Sequence, residues 1–375
     1  MNDRLLALFL AGAALLALPA GADDAPPGTI VETLDNGLRV TIVPVPENTV
    51  VATRVWYHVG SAHEDPESRG FAHLFEHLMF GETENHEKDD YTNYHHRHGG
   101  YSNAYTSFDE TVYVSDIAPE HHRGVLEFEA DRMVNLVLTE ENLANEKRIV
   151  SEELRLRMEN DPFARVQVAA LRAVLGDHPY AYTPGGTRED VRAATLEQCR
   201  EFYRTYYRPR NAHLVIVGPV DAEETLGTVT ELFGSLPDSG RHPGPVPSLT
   251  GREFPALVEL EEDLPPVETV IVGYVLPPAS SDDRAAIRIM QTLLAGGEVD
   301  PLEEILVRRR ERAVYAGIEW MEARRGGAVM FSAAFLPHRR QRTSFEDVGE
   351  AIEELSRFGW LTGEAVEAAK RKVIR

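Results

Sequence analysis

One cysteine, Cys199, occurs in 375 residues, so neither an intrachain disulfide framework nor a zinc site of several thiolates can be built. Any metal must be held by histidine and carboxylate, and Cys199 is expected to be a buried structural thiol. Basic residues are scarce: 38 Lys and Arg against 61 Asp and Glu give a formal charge of −23. That balance argues against a nucleic-acid partner and favours cationic ones. Apolar runs long enough for a membrane are lacking, since the longest, Leu5 to Leu18, is too short to span a bilayer comfortably. Ala20-Gly21-Ala22 follows it as a small-residue cleavage signal, so residues 1–22 read as a secretory signal peptide; left uncut, the same run would serve as an anchor. The expectation is an exported protein, periplasmic or secreted, with no membrane span after signal removal. The remainder is 43% hydrophobic and 26% charged, ordinary for a globular chain with room for two domains of roughly 150–200 residues.

Alternating β-branched runs on either side of Asp35-Asn36-Gly37 predict a strand, a tight turn and a strand, and Val51 to Val59 predicts another. A helix is expected around Phe71 to Phe80, with Ser68 as N-cap and Gly81 as stop. Tyr101 to Ile117 is strand-rich, and helical patterns cover Pro119 to Leu136 and Thr139 to Asn160. Thr195-Leu196-Glu197-Gln198 is a capping box before a further helix, which leads into a strand at Ala212 to Val217. Strands and helices do not alternate strictly, so the class is α+β. Turn formers crowd Leu236 to Pro255, which divides the chain into a first domain, 23–235, a linker, 236–255, and a second domain, 256–375. The second begins with a strand near Val267 to Val275 and a helix at Asp282 to Ala295, and on length alone it is expected to be truncated.

The string His73-Leu74-Phe75-Glu76-His77 carries the chemistry. Residues four apart share a helix face about 5–6 Å apart, so His73 and His77 can grip one ion with Glu76 beside them. Chance supplies such a string only about 0.05 times in a chain of this composition. A third ligand is sought on the helix around Leu143 to Glu153, where one face carries two carboxylates, Glu146 and Glu153, while Glu152 points elsewhere. On spacing alone that face also suits ordinary surface charge pairs. His95-His96-Arg97-His98 and His121-His122 read as exposed loop and helix-start residues.

With Gly60-Ser61-Ala62-His63-Glu64, Gly99-Gly100-Tyr101-Ser102-Asn103-Ala104-Tyr105-Thr106 and Asn145 to Leu154, the string resembles the pitrilysin/insulinase family of inverted-motif zinc peptidases over about residues 28–235. The resemblance implies a two-domain metallopeptidase of the LuxS/MPP-like type, each domain a mixed, mainly antiparallel sheet with helices packed on one face. It implies one Zn2+ per chain on His73, His77 and Glu153, Glu76 as general base, and Glu146 as a carboxylate that orients the site. Asn103, Ala104, Tyr105 and Thr106 match the family's edge strand, where a substrate peptide adds as a further strand. The implied activity is that of a metalloendopeptidase acting on peptides or unfolded segments, alone or in a homo- or heterodimer with a related subunit.

The second domain departs from the pattern. Arg308 and Tyr315 have the family's substrate-contacting spacing, but aligning Leu302 and Leu306 instead puts Val307 and Val314 in those places. Gly296-Gly297-Glu298-Val299 lacks the serines the family shows there. Two further readings stay open: a non-catalytic peptide-binding or scaffold subunit of the same fold, and a zinc hydrolase acting on something other than a peptide. Part of the acidic surplus is expected to line a cavity that selects basic or extended peptides.

Overall fold

The computed structural model describes residues 25–160, 164–238, 240, 244–249, 268–295, 300–336, 341–357 and 362–373. The signal-peptide segment 1–22 and much of the 236–255 linker lie outside the described residues, as do Gly296 to Val299. Two compact units emerge: Met1–Leu156 with Thr183–Pro245, and Arg157–Tyr182 with Val246–Arg375. The second therefore takes in a segment from within the stretch 23–235.

In the first unit the strands β1 (Ile30–Thr33), β2 (Arg39–Pro44), β3 (Val51–Tyr57), β4 (Tyr101–Thr106), β5 (Thr111–Ile117) and β6 (Ala212–Gly218) form one sheet in the order β1-β2-β6-β3-β5-β4. Only the β2·β6 pair is parallel; the others run antiparallel. Alternation fixes the faces: Val51, Thr53, Val55 and Tyr57 of β3 are buried while the residues between them are half-buried. The turn between β1 and β2 closes where the Asn-Gly pair predicts, with Gly37 at φ 90°.

Helices α1 (Phe71–Leu78), α2 (Asp90–Arg97), α3 (His122–Val134), α4 (Glu140–Asn160), α5 (Ala164–Leu175), α6 (Arg188–Ala193), α7 (Leu196–Tyr206) and α8 (Ala222–Phe233) follow in chain order. The start of α7 is the capping box read from the sequence: Thr195 Oγ1 accepts from the Gln198 N–H and Gln198 Oε1 from the Thr195 N–H. Cys199, on this helix, is fully buried. α1 begins later than expected. Gly70, not Ser68, is its N-cap, because Ser68 is already engaged with Asp65 in the preceding turn: its Oγ accepts the Asp65 N–H at 3.0 Å.

The second unit has a three-stranded antiparallel sheet, β7 (Glu268–Leu276), β9 (Gly326–Phe335) and β8 (Tyr315–Ala323) in that order. Every residue of the central strand β9 is buried, so both of its faces are covered. The helices here are α5, α9 (Arg284–Ala295), α10 (Pro301–Glu303, continuing as a π-helix over Glu304–Arg309), α11 (Gln341–Arg357) and α12 (Gly363–Val373). No helix among the described residues is long and apolar enough to cross a membrane.

Candidate metal centre

α1 buries six of its eight residues, Phe71, Ala72, His73, Leu74, Phe75 and Leu78. Phe75 packs its ring against Phe202, Tyr203 and Tyr207, and its carbonyl accepts the Tyr113 hydroxyl of β5 at 3.0 Å. The helix is thus clamped between α7 and the sheet, which leaves Glu76 and His77 as its wetter side chains.

The start of α1 needs outside help, because its N-cap is a glycine at φ 84° with no side chain to receive the first N–H groups. Glu64 supplies the acceptor: its two carboxylate oxygens take the Gly70 and Ala72 N–H groups, each at 2.8 Å. Burial raises the Glu64 carboxyl, those two N–H groups pull against it, and the balance leaves it pushed up to about 8. Gly185, at φ 102°, lets a loop pass over this end of the helix; a Cβ there would lie 3.4 Å from His73 Nδ1, and one on Gly70 would lie 2.5 Å from the Gly185 carbonyl oxygen.

α4 brings its carboxylates to the same place. Glu153 Oε2 stands 3.3 Å from His77 Nε2 and 3.7 Å from His73 Nε2, and the three residues offer ligand atoms within 4.8 Å of one another. Glu146, two turns earlier, sets Oε2 at 3.9 Å from His77 Nδ1, while its Oε1 accepts from Lys88 Nζ at 3.1 Å and from Asn145 Nδ2 at 3.2 Å. Burial alone would lower the His77 pKa, but Glu153, with Glu76 and Glu146 behind it, outweighs burial and raises it. Thr106 of β4 donates its hydroxyl to Glu76 Oε2 at 2.6 Å.

Ligands of a tetrahedral zinc, bound at about 2.0–2.2 Å, stand roughly 3.3–3.6 Å apart. The separations from Glu153, 3.3 Å and 3.7 Å, fall at and just beyond that spacing, and two imidazoles with one carboxylate leave a fourth position for water. The residues present therefore fit zinc.

Five sequence-selected residues, His73, His77, Glu76, Glu146 and Glu153, thus meet in one place, and Thr106 joins them through Glu76. Asn103, Ala104, Tyr105 and Thr106 lie on β4, which among the described residues pairs only with β5 and forms one edge of the sheet. Asn103 Oδ1 accepts the Ala104 N–H at 2.9 Å there. Arg308 and Tyr315 lie in the second unit, Arg308 exposed and bonded to Glu303 at 3.3 Å, Tyr315 half exposed at the start of β8. Glu152 is exposed and paired with Arg155.

The histidine-rich stretches correct an expectation. His121 and His122 stand at the start of α3 as expected, but His122 is buried, and His95 is buried within α2 and not exposed in a loop, because each ring finds a polar partner on the sheet below it: His95 Nε2 meets Ser115 Oγ at 2.7 Å, and His122 Nε2 meets Thr53 Oγ1 at 2.9 Å. Sequence reasoning also missed Glu64 and the Thr106 bond. The signal for Glu64 was present, since a helix opened by Gly70 must borrow an acceptor from elsewhere.

A helix bearing H-x-x-E-H, held against the edge of a mainly antiparallel sheet and facing a carboxylate helix, is the architecture of the inverted-motif metallopeptidases. Comparison with known proteins gives the particular family. Residues 39–182 match the insulinase (peptidase family M16) model, and residues 193–373 match the model described as the peptidase M16 inactive domain. The chain belongs to the insulinase family. It is 30% identical over 328 residues to the zinc protease PqqE of Helicobacter pylori, covering 87% of this chain and 74% of that protein. It is 30% identical over 352 residues to an uncharacterized zinc protease of Mycobacterium leprae, covering 93% and 77%. Among solved structures, a protease from Helicobacter pylori aligns with a TM-score of 0.82 at 28% identity, covering 93% of this chain and 84% of that one.

Proposed function

We propose that the chain is a zinc-dependent metalloendopeptidase that hydrolyses peptides or unfolded segments held in extended form along β4. The observation that supports it most directly is the convergence of His73 Nε2, His77 Nε2 and Glu153 Oε2 beside a Glu76 anchored by Thr106. On this reading His73, His77 and Glu153 hold one Zn2+ per chain, and Glu146 orients His77 from the far side of its ring. Zinc, when bound, supplies a water acidified toward neutral pH and polarises the scissile carbonyl. Glu76 takes the proton of the attacking water and delivers it to the leaving amine. The unpaired edge of β4 offers main-chain groups to an added strand, with Asn103 to Thr106 as its contact residues and Arg308 and Tyr315 as contacts from the second domain. The domain limits 23–235 and 256–375, an exported location after removal of residues 1–22, and pairing with a like or related subunit belong to the same reading.

The match of residues 193–373 to a model described as inactive favours a second reading, a non-catalytic subunit of the same fold. One experiment separates the two: metal analysis of the purified chain together with cleavage of an unstructured peptide library. About one zinc per chain and cleavage abolished by a chelator are expected. A chain with less than about half a zinc and no chelator-sensitive cleavage would be the scaffold.

A further inference from the structure

A groove of about 510 Å³ is lined by Lys147, Arg148, Ser151 and Glu152 of α4 and by Arg188 and Arg192 of α6. By helical spacing the α4 residues lie on the face opposite Glu146 and Glu153, so this groove is separate from the metal centre. Four cations and one carboxylate line it, in a chain whose formal charge is −23. The carboxylate is already engaged: Arg155 bonds Glu152 at 2.6 and 2.9 Å. Lys147 Nζ reaches the Ala194 carbonyl at 2.7 Å and Arg148 the Asn145 side chain at 3.0 Å. Among the described residues no carboxylate stands within 4.0 Å of the Arg188 or Arg192 guanidinium.

Two buried polar atoms at the groove are left without a partner among the described residues. Ser151 is only 6% exposed, and neither its Oγ nor the Arg188 Nε makes a hydrogen bond. Native structures rarely leave such groups unsatisfied, and an unfilled ligand position is one standard reason. A hydroxyl donor between guanidinium groups from two helices suits an acceptor that is anionic, compact and rich in oxygens.

We propose that this groove binds a phosphate-type oxyanion carrying more than one charge, a diphosphate group being the best fit to its cation surplus and well within its volume. Arg188 and Arg192, one helical turn apart, present planar forks that pair two oxygens each. Lys147 and Arg148 add cations from α4, and Ser151 adds its hydroxyl as a donor. Free diphosphate and a nucleoside diphosphate share this chemistry. The inference is independent of the peptidase reading.

The test is calorimetric titration of the full chain with inorganic diphosphate at fixed ionic strength, beside the double variant Arg188→Gln with Arg192→Gln. Heat from any chelation of bound metal is common to both proteins, because the substitutions lie away from the metal centre, and equal melting temperatures establish that the variant folds. Saturable one-to-one binding to the natural chain, weakened roughly tenfold or more in the double variant, is expected. Ser151→Ala is expected to weaken it severalfold. ADP binding at least as tightly would support the site and assign it to nucleotides; diphosphate binding alone would assign it to the free anion. No saturation up to about 10 mM, equal binding by the double variant, or tighter binding of a glutamate-rich peptide would overturn the proposal.

Discussion

Thr106, the last residue of β4, donates its hydroxyl to Glu76 Oε2 at 2.6 Å. One contact therefore joins the proposed base to the strand on which the substrate is proposed to lie, so base and scissile bond are positioned by the same element. Thr106→Val keeps the shape of the side chain and removes the donor. A hydrogen bond to a charged group is worth about 1.5–3 kcal/mol, so kcat is expected to fall roughly ten- to hundredfold, with metal content unchanged. Steady-state kinetics beside metal analysis checks this, and an unaltered kcat would show that Glu76 is oriented by something else.

Glu76→Gln and Glu153→Gln should fail differently. Glu76 is proposed to move a proton and Glu153 to hold the metal, so the first variant is expected to keep its zinc and melting temperature while losing at least about a hundredfold in kcat. The second is expected to lose the metal. Zinc at a hundred times its dissociation constant stabilises a folded chain by about 2.7 kcal/mol, an increment that Glu153→Gln should no longer show. Melting curves with and without a chelator, run on both variants, separate the two roles; peptidase turnover retained by Glu76→Gln would remove Glu76 from the mechanism.

The start of α1 is expected to be intolerant of a side chain. At φ 84° an alanine at Gly70 pays about 1–2 kcal/mol for the left-handed conformation, and its Cβ would lie 2.5 Å from the Gly185 carbonyl oxygen. Gly99 is a matched control, since it also has positive φ, 66°, but nothing stands within 4 Å of its Cβ position. Gly70→Ala should cost at least about 2 kcal/mol and Gly99→Ala only about 1, with the difference reporting the close approach of the loop to the helix. Equal losses in urea unfolding would mean that the loop yields.

Local signals carried much of this into the sequence. The i,i+4 pair His73 and His77, the two-turn spacing of Glu146 and Glu153, the Asn-Gly turn and the Thr195 capping box are all short-range patterns, and each reappears in the structure. The contacts that were not legible join residues far apart in the chain. Thr106 is thirty residues from Glu76, and its role depends on β4 ending at the sheet edge beside α1. Histidine-rich stretches read as exposed because imidazole is polar. Burial of His95 and His122 rests on Ser115 and Thr53, partners that only the sheet register brings beneath them.

Those buried histidines predict the response to acid. Burial pulls His122 down to about 4 and lowers His95, so both rings are neutral in the folded chain near neutral pH. In the unfolded chain they titrate near 6.5. Between pH 6.5 and 4 the unfolded state binds protons at these two rings that the folded state refuses, so the stability that rests on them is complete above about 6.5 and falls as the pH drops through that window. For His122 the loss reaches roughly 3 kcal/mol at pH 4. His122→Gln keeps a polar atom for the Thr53 hydroxyl but cannot be protonated, so it should be less stable than the natural chain at pH 7 and lose that disadvantage by pH 4.5. Urea unfolding of both proteins in chelator, which makes any metal loss common to them, reads the difference directly. Parallel stability curves across the window would mean that the His122 ring gains its proton without cost in the fold.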